Sequence, residues 1–320
     1  EDGARISFEP GGQIEISTAP QPTASEVIDS TQQLVTLIRT AMSSAGIELV
    51  ARGVDPYNDI DTVPLQLHRD RYTGMTRYFE SIGPSGVRMM RQTAALQINL
   101  ERGEDPKSRW RLLNSLAPIV VALFANSRQY ASKRTEWASY RAQLWRTLDP
   151  SRTGIVYDET GPVERYLDFA LGAVAMRSGN GGAYRTFREW MTQRAVNGDE
   201  WLFHLSTLFP EVRPKEFFEL RSADTIALDA LAAPVVFVTS LVYDEESAHR
   251  AIELIGPPSE GLLERAGRLG LADPEIRRIA SRLVVLALDG GRRLGGEYLR
   301  RSHLEAAYKY FAGALAGNDI

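Results

Sequence analysis

Near its N-terminal end the chain reads Phe8-Glu9-Pro10-Gly11-Gly12-Gln13-Ile14-Glu15-Ile16-Ser17. The Pro-Gly-Gly run is typical of a tight turn, and the residues after it alternate between polar and apolar as in a β-strand. Gln13, Glu15 and Ser17 are expected on one side of that strand, with two isoleucines on the other. Carboxylate and amide oxygens are the ligands that hard divalent cations prefer. The stretch therefore indicates a cation site, and an ordinary exposed acid on an edge strand is the alternative interpretation.

The composition limits the classes of function. The chain has 320 residues, of which 43% are hydrophobic and 24% are charged, as is ordinary for a globular protein. A formal net charge of -4 argues against nucleic acid or an anionic membrane as a partner, so an anionic substrate needs a local cluster of arginines or a metal. The absence of cysteine excludes disulfides, thiolate catalysis and cysteine-ligated metal centres. No apolar run reaches the roughly 18 residues of a membrane span, and no signal-peptide pattern is present, so we expect a cytoplasmic protein.

A second informative stretch covers residues 88–101 and alternates as a strand from Ala94 onward. Its polar face would carry Arg91, Thr93, Gln97, Asn99 and Glu101. A solvent-facing sheet surface would tolerate these residues. Two amides without any lysine suit ligand contacts better than solubility, so we interpret this face as part of a binding site.

A third stretch, Phe217-Phe218-Glu219-Leu220-Arg221, alternates in the same way, so Glu219 and Arg221 would share one face of a strand. The pair could be a surface salt bridge, which contributes little to stability. In a cleft, however, a carboxylate beside a guanidinium suits a metal-bound phosphate. If the three polar faces lie in one sheet, they form a cup for Mg²⁺-bound nucleotide phosphates. Neither a P-loop motif nor a Gly-x-Gly-x-x-Gly motif is present.

The remaining chain is predicted to be mostly helical. Helices are expected over residues 25–44, 71–79, 106–127, 137–145, 163–171, 186–191, 197–208, 226–241, 245–255, 258–269 and 274–315. The glycine pairs Gly290-Gly291 and Gly295-Gly296 are candidates for a break in the last of these runs. Strands are expected over residues 47–51 and 173–176, with a hairpin turn at residues 179–182. The helix over 106–127 is apolar on most sides and is predicted to be buried.

Together these motifs resemble one family, the second type of glutamate–cysteine ligase, which comprises plant-type and bacterial enzymes. Residues 8–17 with Ala19-Pro20 resemble its Glu-Pro-Gly-Gly-Gln-x-Glu-x-Ser-x-Ala-Pro signature. The other matching blocks are Arg71-Tyr72-x-x-Met75, Arg91-x-Thr93 with Gln97-x-Asn99, and His204-Leu205-Ser206-Thr207-Leu208-Phe209-Pro210-Glu211-Val212-Arg213 followed by Glu219-Leu220-Arg221-x-x-Asp224. The match runs in order over about residues 5–245. It is closest to the bacterial branch that supplies γ-glutamylcysteine for ergothioneine or glutathione.

The resemblance implies an α+β fold of the glutamine-synthetase type, in which helices flank a curved antiparallel sheet. We expect a catalytic domain over residues 1–245 and a C-terminal helical region over residues 246–320 packed on the same domain. The implied reaction is ATP-dependent: Mg-ATP phosphorylates the γ-carboxylate of L-glutamate, and the amine of L-cysteine then displaces phosphate. We expect these small-molecule substrates only, no nucleic acid or membrane, and a monomer or homodimer.

The resemblance also assigns roles to residues. Glu9, Glu15 and Glu219 would hold Mg²⁺, and Arg221 would act with Glu219 in catalysis by stabilising the transferring phosphoryl group. Substrate or nucleotide would contact Arg91, Thr93, Gln97, Asn99, His204 and Arg213. The family begins with a strand carrying Gly-x-Glu-x-Glu, and none precedes residue 9 here, so that strand either lies upstream of residue 1 or is absent from the protein. Two alternatives remain: a γ-glutamyl ligase for another amine, and a non-catalytic binding relative.

Overall fold

The N-terminal run folds as the hairpin that its Pro-Gly-Gly turn predicts. In the computed structural model of the chain, which describes residues 3–179 and 183–317, strand β1 (Arg5–Phe8) pairs antiparallel with β2 (Ile14–Ser17). The amide of Glu9 donates to the carbonyl of Gln13 at 2.9 Å, which closes the turn. Gly12 has a φ of +92°, a conformation that glycine adopts without steric cost.

Seven more strands and thirteen α-helices follow within the described residues. The strands are β3 (Ala95–Glu101), β4 (Gln129–Tyr130), β5 (Lys133–Arg134), β6 (Thr153–Gly154), β7 (Phe209–Pro210), β8 (Val212–Pro214) and β9 (Phe217–Asp224). The helices are α1 (Ala24–Ser44), α2 (Asp70–Ile82), α3 (Pro84–Gln92), α4 (Pro106–Leu123), α5 (Tyr140–Leu148), α6 (Pro162–Gly172), α7 (Phe187–Gln193), α8 (Gly198–Leu205), α9 (Ala232–Tyr243), α10 (Glu245–Ile255), α11 (Glu260–Leu269), α12 (Pro274–Leu294) and α13 (Arg301–Ala316).

The fold therefore mixes many helices with small sheets. The largest sheet that the described residues form has three antiparallel strands in the order β3-β9-β8. The β1–β2 and β4–β5 pairs are also antiparallel, whereas β6 pairs with β7 in parallel. No described helix is long and apolar enough to cross a membrane.

One face of the three-stranded sheet packs on the main hydrophobic core. The alternation in β9 directs Phe218 and Leu220 into that core, where Phe218 stacks on Trp110 of α4 with ring centroids 5.9 Å apart. Helices α4 and α9 are buried along most of their lengths, and side chains of α12 and α13 join the same core. The opposite face of the sheet is left available for polar side chains. The proposed boundary at residue 245 stays a prediction.

Several predicted elements differ in the structure. Residues 47–51 form no strand, because an apolar run becomes a strand only when it finds a pairing partner. Residues 173–176 make only an isolated bridge between Val174 and Thr186. The run over 274–315 is two helices that break at the second of its two candidate glycine pairs, since Gly295 ends the first helix with a φ of +85°. The hairpin turn predicted at residues 179–182 lies mostly outside the described residues.

The prediction of a strand face that begins at Arg91 was wrong in its first half. Arg91 belongs to helix α3, which begins at Pro84 and ends at Gln92. The hydroxyl of Thr93 donates to the carbonyl of Met89 at 2.7 Å, so it satisfies one of the free carbonyls at the helix end. The strand starts only at Ala95, and the apparent alternation before it is incidental.

Candidate active site

A row of polar side chains crosses the three-stranded sheet. Asn99 of β3 is paired with Glu219 of β9, and Glu219 is paired with Arg213 of β8. Residues paired across adjacent antiparallel strands lie close enough for their side chains to interact. The register thus brings Asn99, from a distant part of the chain, beside Glu219 and Arg213. Two of the three predicted polar faces therefore share one sheet, whereas the hairpin forms a separate two-stranded sheet.

Glu219 is the centre of this row and is only 5% exposed. Its carboxylate accepts from Arg221 at 2.8 Å and Lys215 at 2.9 Å, and lies 3.1 Å from Nη1 of Arg213. Burial alone would raise the pKa of Glu219, but Arg221, Arg213 and Lys215 outweigh it and lower the pKa to about 2. The carboxylate is therefore ionised at neutral pH and holds three cations on one face of the sheet.

Glu219, Arg213, Lys215 and Arg221 form a charged cluster, and the two glutamates of the hairpin meet beside it. Burial raises the pKa of Glu9, and the neighbouring carboxyl of Glu15 raises it further, whereas Arg71 and Arg221 act in the opposite direction. Two carboxyls at such short range repel each other when both are ionised. The hydroxyl of Ser7 donates to Glu15 at 3.1 Å, which orients that carboxylate. Glu9 thus lies within electrostatic reach of Arg221, the residue that also binds Glu219.

The hairpin is held in place by its turn. The side-chain amide of Gln13 donates to the carbonyls of Thr93 at 2.9 Å and Met90 at 3.3 Å, at the end of α3. A Cβ atom on Gly11 would lie 1.9 Å from the carbonyl oxygen of Arg91, so only glycine allows this approach. The signature Pro-Gly-Gly-Gln therefore docks the hairpin on the end of α3.

A divalent cation fits part of this arrangement. The close pair Glu9 and Glu15 offers two carboxylate ligands whose mutual repulsion a cation would relieve. Glu219 is already neutralised by three cations, which reduces its availability as a ligand. Among the described residues there is no group of three or more acidic or histidine side chains arranged to hold a metal ion.

The other predicted residues are not all brought together. Gln97 and Asn99 are exposed on β3 beside the cluster. Arg91 makes its contacts elsewhere. Its guanidinium lies 3.8 Å from the carboxylate of Glu80 and donates to the carbonyl of Val63 at 3.5 Å. Arg91 also lines a cavity of about 510 Å³ together with Val63, Glu80 and six other residues. The hydroxyl of Thr93 is occupied by the end of α3.

His204 belongs to the core rather than to the cluster. Its ring stacks on Phe187 with centroids 4.3 Å apart, and Nε2 lies 2.6 Å from the carbonyl oxygen of Ala170. Burial lowers the pKa of His204 to about 4, so the ring is neutral at physiological pH. In this position it supports the segment that leads into β7.

Sequence reasoning missed Lys215, which belongs to the cluster, and Arg71 and Tyr166, which lie around it. Arg71 of α2 donates to the carbonyl of Ser206 at 2.8 Å, and its charge acts to lower the pKa of both Glu9 and Arg213. Lys215 lies in the turn between β8 and β9. Burial raises the pKa of the Tyr166 hydroxyl in α6 to about 12. The charges of Arg213, Arg221 and Glu219 also influence this pKa. The Arg-Tyr-x-x-Met block was a signal for Arg71, whereas no sequence pattern marked the other two.

The chain is similar to known proteins over almost its whole length. A family model described as glutamate-cysteine ligase family 2 matches residues 2–317. A protein named glutamate–cysteine ligase EgtA from Mycolicibacterium smegmatis is 32% identical over 307 residues, which cover 90% of this chain and 71% of that protein. The protein of the same name from Mycobacterium tuberculosis is 29% identical over 308 residues, with 89% and 70% covered. The chloroplastic glutamate–cysteine ligase of Brassica juncea is 31% identical over 318 residues, with 91% and 61% covered.

Proposed function

The chain belongs to glutamate–cysteine ligase family 2, and on this premise we propose that it joins glutamate to cysteine at the expense of ATP, forming γ-glutamylcysteine. The observation that carries the proposal is the position of Glu219, within 3.1 Å of three cationic side chains and beside the Glu9–Glu15 pair. Carboxylates next to clustered guanidinium groups on a sheet face suit a metal-bound triphosphate. The three-stranded sheet and the hairpin would be parts of the curved sheet of a glutamine-synthetase-like fold.

The reaction has two steps. An oxygen of the glutamate γ-carboxylate attacks the γ-phosphorus of ATP, the bond from that phosphorus to the bridging oxygen breaks, and ADP leaves. The cysteine nitrogen then attacks the acyl carbon, the bond to the phosphate oxygen breaks, and the amine proton leaves with the phosphate. Neither step needs a protein nucleophile, which agrees with a chain that has no cysteine.

The chain contributes mainly charge and position. Burial, and then the nearby Arg221, lower the pKa of Arg213 to about 10, so the guanidinium of Arg213 stays protonated at neutral pH. Glu219 holds them at a fixed separation before substrate arrives, so little reorganisation is needed when negative charge develops on the phosphoryl oxygens. Mg²⁺, held by Glu9 and Glu15, would supply further neutralisation of the nucleotide phosphates.

Release of phosphate from ATP, dependent on both amino acids, tests this proposal. The full-length protein with Mg-ATP and glutamate should release phosphate when cysteine is added, and much less with other amines. Strong release with another amine and none with cysteine would replace the proposed acceptor. No release with any amine, together with measurable nucleotide binding, would favour the non-catalytic relative.

A second arm follows the oxygen atoms. When the γ-carboxylate of glutamate is labelled with ¹⁸O, the acyl phosphate route transfers one labelled oxygen to the released phosphate. Unlabelled phosphate accompanied by γ-glutamylcysteine would contradict that route while leaving the product assignment intact. The two arms therefore separate an error in the acceptor from an error in the chemistry.

A further inference from the structure

Strand β9 has an irregularity at the residue that the proposed reaction depends on most. Leu96 pairs with Ala223 and Ile98 pairs with Leu220, so the single residue Gln97 stands opposite both Arg221 and Ser222. Such a bulge changes the direction of the side chains around it and leaves backbone groups without their regular partners in the ladder. The direction in which Arg221 points therefore depends on what satisfies this part of the backbone.

The buried guanidinium of Arg141 satisfies it. Arg141 lies in the first turn of α5 and is only 3% exposed. Its Nη2 donates to the carbonyl of Arg221 at 2.7 Å, and its Nη1 donates to the carbonyl of Ser222 at 3.4 Å. One planar side chain thus binds the two consecutive carbonyls of the bulge, which a lysine with its single ammonium cannot do in the same way.

Arg141 is itself held by a buried carboxylate. Nη1 lies 3.7 Å from Oδ1 of Asp224, and Trp145 packs against the guanidinium at 4.3 Å. Asp224 also accepts from the hydroxyls of Ser127 at 2.7 Å and Ser139 at 3.0 Å, and from the backbone N–H of Asn126 at 2.8 Å. With three donors besides Arg141, this carboxylate does not depend on the arginine for its hydrogen bonds.

Resting on the function proposed above, we propose that Arg141 is a positioning residue that fixes the β9 bulge and thereby aims the guanidinium of Arg221 at Glu219 and the transferring phosphoryl group. Arg141 contacts no reacting atom, since the structure buries it beneath the backbone of β9. Its effect is transmitted through two backbone carbonyls. The competing explanation is that Arg141 only neutralises the buried charge of Asp224.

Two variants of the full-length protein separate these explanations. Arg141→Met leaves Asp224 without its counter-ion, whereas the double variant Arg141→Met with Asp224→Asn removes both charges. If neutralisation is the whole role, the double variant should recover wild-type kcat. If Arg141 positions the bulge, kcat should remain about a hundredfold lower in the double variant, as expected for a small displacement of a reacting group, with KM values little changed. Recovery of kcat in the double variant would overturn the proposal.

The control is Arg277→Met. Arg277 also donates to two carbonyls, those of Leu271 and Leu315, but it lies in the C-terminal helices outside the cluster. It should alter thermal stability without lowering kcat.

A crystal structure of the double variant provides a readout that needs no activity. The contact between Arg221 Nη1 and Glu219 Oε2, 2.8 Å in the wild type, should be lost or displaced. An unchanged contact would refute the positioning role. A wild-type protein without ligase activity would refute the proposed function, and the crystal structure would still decide the role of Arg141.

Discussion

Replacing Glu219 with glutamine keeps the size of the side chain and removes the negative charge that three cations share. Arg221 and Arg213 are both largely buried and would then face each other, and Lys215, without the carboxylate that binds all three. Leaving buried charges unpaired in this way is strongly destabilising, by about 3–5 kcal/mol.

The pKa of Glu219 gives an independent value for this loss of stability. Its pKa of about 2 in the folded protein lies below the ordinary glutamate value of 4.5. At about 1.4 kcal/mol for each pH unit, the difference corresponds to about 3 kcal/mol of stability at neutral pH. Because the folded-state pKa is the lower one, this stabilisation is complete above pH 4.5 and is lost as the pH falls toward 2.

Urea unfolding of the wild type and of Glu219→Gln, in buffers from about pH 7 to about pH 3, measures this difference. The variant should be about 3 kcal/mol less stable at neutral pH, and the gap should narrow as the pH falls below 4.5. Glu216→Gln is the matched control, since Glu216 is exposed in the turn just before β9. A Glu219 variant no less stable than the control, or a gap that does not change with pH, would refute the reasoning.

Three further predictions concern His204, Gly11 and Glu9. The stability of the wild type should fall as the pH drops from 6.5 toward 4, because His204 is neutral in the folded protein while the unfolded chain takes up a proton there. His204→Phe should flatten this part of the dependence of urea unfolding on pH and leave the KM for ATP unchanged. Gly11→Ala should cost about 1–3 kcal/mol in thermal unfolding and weaken Mg-ATP binding, because its Cβ would meet the Arg91 carbonyl, whereas Gly74→Ala, with open space around it in α2, should stabilise by up to about 1 kcal/mol. Glu9→Gln should weaken Mg²⁺ binding in the presence of ADP, measured by isothermal titration calorimetry; equal affinity would remove Glu9 from the cation site.

Local patterns in the sequence predicted the hairpin and the polar face of β9 correctly. The Pro-Gly-Gly turn and the alternation after it are both local signals, and the structure has β1 and β2 on either side of that turn. The same holds for Glu219 and Arg221, which share one face because their separation of two residues matches the period of a strand. Patterns of this kind need no knowledge of distant parts of the chain.

The interactions that determine the chemistry of the site depend on tertiary contacts. The charge of Glu219 is balanced by Arg213, which belongs to another strand and reaches it only through the register of β8 with β9. Arg91 was predicted to lie on a strand because two alternating residues at the end of a helix resemble the start of one. Arg141 and Asp224 lie in separate elements that meet only in the folded core, so no spacing in the sequence indicated that they are paired.

One comparison of rates tests the proposed site most directly. We would measure formation of γ-glutamylcysteine from ATP, glutamate and cysteine by the full-length protein and by its variants Glu15→Gln and Arg221→Ala, each confirmed as folded by its thermal melt. The wild type should form the dipeptide, and both variants should form none, because each lacks a charge that faces the phosphoryl group. A near-normal rate in either variant would show that the reaction takes place elsewhere on the molecule, and a wild type that forms no γ-glutamylcysteine would contradict the proposed function.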